Sequence, residues 1–127
     1  MRAEVELWKK QGLVDFENAK KNHQFEAYYV SVFLCQQAVE KILKSYYFFK
    51  KNTSPGQTHS LLFLATQTQI PDKYMKFLRR LTPEFVNTRY PDAAYGAPSD
   101  LYDKELSEEY IAHAQEVIDW LCSQMNK

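Results

Sequence analysis

The sequence predicts an all-α fold: an antiparallel four-helix bundle with one additional short helix and a long loop before the last helix. Apolar residues recur at i, i+3/i+4 spacing along most of the chain, the period of helices that bury one face. No stretch alternates apolar and polar residues for long enough to make a strand. The chain has 127 residues, the size of a single domain spanning 1–127. At that length about two-thirds of the unfolded surface can be buried.

The first helix is expected at roughly 3–22, with Val5, Trp8, Gly12, Phe16 and Ala19 on one face. The second, roughly 24–51, is the longest and most apolar. Ala27, Val30, Leu34, Ala38, Ile42, Tyr46 and Phe49 form one row, and Phe33, Val39, Leu43 and Tyr47 widen it, the pattern of a central helix with several neighbours. It ends at Lys50-Lys51-Asn52, where cations suit a helix C-terminus, before the breaker Thr53-Ser54-Pro55-Gly56. Thr58 is the expected cap of a short helix, His59 to about Gln67, burying Leu61, Leu62, Leu64 and Ala65. Pro71 suits the first turn of the next helix, whose inner face is Tyr74, Phe77, Leu78 and Leu81. Thr82-Pro83-Glu84 restarts it with Phe85 and Val86. A loop follows from roughly Asn87 to Leu106, far longer than the turns of about 2–8 residues typical between bundle helices. Ser107 is the expected cap of the last helix, with Tyr110, Ala114, Val117, Leu121 and Met125 as its buried row.

Composition narrows the functional classes. Sixteen basic and sixteen acidic residues cancel, so no whole-chain field attracts nucleic acid or an anionic membrane. Aromatic residues make up 15% of the chain, with 9 Tyr and 8 Phe. That is more than a bundle of this size easily buries, which points to a homodimer. The expected location is cytoplasmic: the first residues lack the apolar core of a signal peptide, and no run approaches the length of a membrane span. Cys35 and Cys122 stand alone in helical patterns and are expected to be reduced and buried. No Glu has a His three residues on, and no His-x-x-x-His or Cys-x-x-Cys occurs, so neither a metal nor another cofactor is expected.

Three groups of residues carry chemistry. The long loop holds Arg89, Tyr90, Asp92, Tyr95 and Tyr102, and long polar loops on rigid scaffolds tend to carry function. Tyr90 precedes proline and is biased to extended backbone, so Arg89 projects from a stiff corner where it can grip a phosphate with two nitrogens. The bland alternative is an Arg89–Asp92 ion pair that staples the turn. The tyrosines can stack on bases or simply pack the loop. Gln37, Glu40, Lys41 and Lys44 share one face of the second helix, either as a solvated stripe with one ion pair or as the polar wall of a groove. His59 opens the third helix, where a structural histidine is the common case.

Gln36-Gln37-Ala38-Val39-Glu40-Lys41-Ile42-Leu43-Lys44, then His59-Ser60-Leu61, then Arg89-Tyr90-Pro91-Asp92 resembles the HEPN (higher eukaryotes and prokaryotes nucleotide-binding) family over nearly the whole chain. The resemblance implies an antiparallel helical bundle that commonly dimerises. It also implies a partner, a minimal nucleotidyltransferase, in a toxin–antitoxin-like two-gene module. Other members are metal-independent endoribonucleases with an Arg, four to six residues, then His. Here those histidine positions hold Ala94, Tyr95 and Gly96. Tyrosine has an ordinary pKa of about 10 and replaces an imidazole poorly at neutral pH. The resemblance therefore carries over Arg89 as the phosphate-contacting residue and as the sole catalytic candidate. It gives Gln37, Glu40, Lys41 and Lys44 as the wall facing the loop, and His59 as structural or pocket-lining.

Three functions stay open on the sequence. The first is a non-catalytic dimer binding nucleotide or RNA phosphate through Arg89 and Lys44 and serving as partner subunit of the nucleotidyltransferase. The second is an endoribonuclease toxin with an altered site using Arg89 and His59 or Tyr95. The third is a structural interaction module in which the Arg89 corner only fixes the loop.

Overall fold

The computed structural model describes residues 2–126. Helix α1 (Arg2–Gln24) and helix α2 (Tyr28–Lys51) form an antiparallel hairpin. Gln24 still belongs to α1, so α2 starts later than the periodicity suggests. The connecting turn is tight: Glu26 is left-handed (φ 64°), and the Ala27 N–H donates to the Asn22 carbonyl at 2.8 Å. Val5, Gly12, Phe16 and Ala19 are buried along α1, as its spacing predicts, together with Asp15.

The two helices approach closely at Gly12. A Cβ there would stand 2.5 Å from Ile42 Cγ1 and 3.1 Å from the Ala38 carbonyl oxygen, so only glycine fits without a shift. Two hydroxyls flank this contact. Ser31 Oγ donates to the Ala19 carbonyl at 2.8 Å and Ser45 Oγ to the Val5 carbonyl at 2.6 Å. Polar side chains buried in the hairpin are thereby satisfied.

Helix α2 is the hub. Val32, Cys35, Ala38, Val39, Ile42 and Leu43 are fully enclosed. Phe49, assigned to its inner row by spacing, lies at the periphery. Helix α3 (Leu61–Gln67) packs on α2 and on α4 (Asp72–Leu81). Leu61, Leu64 and Ala65 of α3 are buried as expected, while Leu62 is only half-buried. The cap of α3 is Ser60, whose Oγ accepts from the Phe63 N–H at 3.1 Å. The expected cap, Thr58, instead accepts from the Ser60 N–H one step upstream and organises the approach to the helix. Helix α5 (Glu84–Asn87) is the anticipated restart after Pro83.

The expected long loop is largely structured. It contains two single helical turns, α6 (Pro91–Ala94) and α7 (Pro98–Leu101), each with proline at its first position, where a missing N–H costs nothing. Helix α8 (Lys104–Met125) starts one turn earlier than expected. Asp103 is its cap, accepting from the Leu106 N–H at 2.8 Å, and Ser107 is buried in the first turn, where it bonds the His23 ring. Tyr110, Ala114, Val117, Ile118, Leu121 and Met125 fill the core from α8. Cys35 and Cys122 are free thiols, the first fully buried and the second half-buried. Burial pushes the Cys35 thiol up to about 12. No described helix is long and apolar enough to cross a membrane.

Candidate functional site

The polar residues of α2 are not a solvated stripe. Glu40 is 3% exposed, and both its carboxylate oxygens are bonded. Oε1 accepts from Gln36 Nε2 at 3.1 Å and faces His59 Nδ1 at 3.1 Å, while Oε2 accepts from Lys44 Nζ at 3.2 Å. Gln36 Oε1 in turn accepts from Gln37 Nε2 at 2.8 Å. A carboxylate so enclosed persists only with such a complement of donors. Lys44, expected to share the phosphate with Arg89, is instead buried in its pair with Glu40, with its ammonium 5.2 Å from the centre of the Trp8 ring.

Lys41 has a different partner. It pairs with Asp15 of α1, which also accepts from Gln11 Nε2 at 2.9 Å. The expected wall of Gln37, Glu40, Lys41 and Lys44 is thus divided. Lys41 ties α2 to α1, Glu40 and Lys44 form a buried pair, and Gln37 alone lies partly open without an ion-pair duty.

His59 links this buried cluster to the surface. Its side chain is 52% exposed. Opposite a carboxylate, Nδ1 is the nitrogen that donates, and in the neutral ring this makes Nε2 the acceptor. The His59 ring stacks on Phe85 of α5, with centroids 3.8 Å apart and planes 14° apart. Phe85 also carries Arg89: the guanidinium carbon lies 4.1 Å from the centre of the same ring, and Arg89 Nε donates to the Phe85 carbonyl at 2.7 Å. A single phenyl ring therefore contacts both the imidazole and the guanidinium, and two groups centred so close to one ring take its opposite faces, with Phe85 between them. Phe33 and Tyr90 complete the aromatic collar, 5.4 Å and 5.0 Å from the guanidinium carbon.

With Nε tied to the backbone and a ring beneath it, the guanidinium is fixed, yet the residue stays exposed. No carboxylate pairs with Arg89 among the described residues, so the Arg89–Asp92 staple does not form. Arg89 borders an open cleft of about 390 Å³ with Tyr29, Thr88, Pro98 and Ser99. Thr88 is buried, its hydroxyl donating to the Glu84 carbonyl, and so holds the end of α5 from which Arg89 projects.

The three tyrosines divide. Tyr90 (48% exposed) and Tyr95 (96%) stand in solvent, and Tyr95 takes the left-handed conformation (φ 59°) that closes α6. Tyr102 packs inward, its hydroxyl donating to Glu84 Oε1 at 2.7 Å. Burial raises the Glu84 carboxyl above the usual carboxylate range despite that hydrogen bond, and burial followed by the Glu84 contact raises the Tyr102 phenol. Asp92 is exposed in α6. No group of three or more metal-ligating side chains gathers among the described residues.

Sequence reasoning did not single out Gln36, Trp8, Asp15 or Phe85 as members of this site. Phe85 leaves a usable signal, standing four residues before Arg89 on the same helical face. Asp15 leaves none, because its partner Lys41 is 26 positions away.

The HEPN domain model matches residues 5–125. The crystal structure of an archaeal HEPN homologue shares 30% identity with this chain and superposes with a TM-score of 0.82, covering 95% of this chain and 97% of that one. The crystal structure of a protein from Thermus thermophilus superposes with a TM-score of 0.85 at 23% identity, covering 94% and 96%, and supports the fold. No curated protein sequence matches. A domain match across nearly the whole chain, with an archaeal relative of similar length and the same fold, makes this protein a member of the HEPN domain family.

Proposed function

We propose that this HEPN protein binds the phosphate of a nucleotide or an RNA at Arg89 and acts as the partner subunit of a minimal nucleotidyltransferase. The observation that carries the binding is the Arg89 guanidinium, oriented by Phe85 and paired with no carboxylate among the described residues. A planar cation so held presents paired N–H donors to an anion at little entropic cost. The adjacent exposed ring of Tyr90 suits a base attached to that phosphate. The partner role rests on family membership and on Ala94, Tyr95 and Gly96 standing where ribonuclease members carry histidine.

Calorimetric titration with nucleotides and short RNA tests the binding. Arg89→Ala should weaken it roughly 10–100-fold, the value of one charge-assisted contact. Heat that Arg89→Ala leaves unchanged, or no heat with any ligand, removes the reading. If the variant instead melts at a lower temperature and nothing binds, the corner is structural. Co-purification with a tagged copy in the native host tests the partner, and the absence of a nucleotidyltransferase there contradicts it.

One observation favours the endoribonuclease reading as the second. His59 has a half-exposed ring, an orienting carboxylate in Glu40, and an arginine of the phosphate-gripping kind on the same Phe85 ring. General base chemistry on an RNA 2′-hydroxyl asks for such a set. Incubation with RNA in EDTA decides it: cleavage lost in both His59→Ala and Arg89→Ala supports this reading, and intact RNA with the wild-type protein rejects it.

A further inference from the structure

The cleft beside Arg89 has two walls of unequal strength. One is made by Tyr29 of α2 and by Thr88 and Arg89 at the end of α5. The other is Pro98 and Ser99 of α7, a single turn of four residues. One turn of helix has almost no stability of its own, so α7 keeps its place only through contacts with its surroundings. At its start Pro98 is buried, and the turn packs on α2. At its end stands Tyr102, whose hydroxyl donates to Glu84 Oε1 at 2.7 Å.

Glu84 opens α5, is 6% exposed, and holds both walls. Its carbonyl accepts from the Thr88 hydroxyl one turn on, at the foot of Arg89. Its carboxylate accepts from Tyr102, at the foot of α7. Burying a carboxyl group costs free energy that an apolar side chain would not, and what it gives here is a directed bond between the two walls. The wall so secured carries a donor. Ser99 is exposed at the cleft, and its hydroxyl has no partner among the described residues.

We propose that Ser99 binds the same phosphate as Arg89 from the opposite wall, and that Glu84, through Tyr102, is the positioning residue that keeps Ser99 there. This rests on the phosphate reading of Arg89 and deepens it. A guanidinium covers one or two oxygens of a tetrahedral phosphate in its own plane and leaves the others bare. A hydroxyl on the facing wall donates to one of these.

Calorimetric titration of the full chain with AMP and with a short oligouridylate tests the proposal. Ser99→Ala should weaken binding roughly tenfold, the value of one hydrogen bond to a charged group. Tyr102→Phe should weaken it by a similar factor in the wild-type background. In a Ser99→Ala background it should cost almost nothing further, because Tyr102 acts by placing Ser99. Without any ligand, the amides of residues 98–101 should exchange with deuterium faster in Tyr102→Phe than in the wild type. Binding that is lost in Arg89→Ala yet indifferent to Ser99→Ala leaves the phosphate reading standing and overturns this inference. Equal losses from Tyr102→Phe in both backgrounds, or unchanged exchange, overturn the positioning role. A wild-type chain that binds neither probe, or binding indifferent to Arg89→Ala, fails the phosphate reading itself, and the role of Ser99 falls with it.

Discussion

At the residue scale, the consequential choice is where charge is buried and where it is left open. Glu40 is enclosed and bonded by Gln36, Lys44 and His59, whereas Arg89 is oriented and has no carboxylate partner among the described residues. Lys44→Met removes an ammonium from beside a buried carboxylate and should cost up to about 3–5 kcal/mol in chemical denaturation. Arg89→Ala should remove phosphate affinity at only a small cost in melting temperature, because it loses an exposed hydrogen bond and ring contacts but leaves no buried charge unpaired. Glu84 supplies a pH signature. Its carboxyl is raised by burial, so the folded state binds the proton more tightly than the unfolded state. That contribution is full below the ordinary glutamate range and is lost as pH rises through the elevated value. Glu84→Gln keeps an acceptor for Tyr102 and should flatten the decline in stability across that window in pH-resolved melting curves.

At the element scale, the hairpin of α1 and α2 depends on Gly12. Gly12→Ala places a methyl against Ile42 and the Ala38 carbonyl. It should destabilise by about 1–3 kcal/mol in urea titration, despite alanine's better helix propensity. The long helices are legible in the sequence because α1, α2, α4 and α8 each bury one periodic face. Their ends are less so. Thr58 and Ser60, or Asp103 and Ser107, are chemically adequate caps a turn or so apart, and the choice between them is made by packing that the local sequence does not record. The segment from 87 to 106 reads as a loop because a single turn is too short to show a period. Pro91 and Pro98, at the first position of α6 and α7, are the available signal. Arg89 is legible from its corner. The stacking of His59 on Phe85 and the pairing of Lys41 with Asp15 are not, since both join elements distant in sequence.

At the scale of the whole molecule, α2 touches α1, α3, α5, α7 and α8, and α4 joins it through α3, α5 and α8. Unfolding should accordingly be all-or-none. Trp8 reports from α1, and Trp120 from the α8 side beside Tyr46 and Tyr74. Fluorescence of Trp120→Phe and of the wild type should therefore give coincident transitions in denaturant. Two separated transitions would mean that the hairpin holds together without α8.

Cys35 sits within that hub, wholly out of contact with water and with its thiol held protonated, whereas Cys122 is partly reachable. The thiolate is the species that alkylating reagents attack. Modification of Cys35 in native buffer therefore waits for the hub to open, and Cys122 supplies an internal clock for reagent reactivity on the same chain. The ratio of the two labelling rates, followed by mass spectrometry, converts one sulfur atom into a gauge of how often the entire fold comes apart.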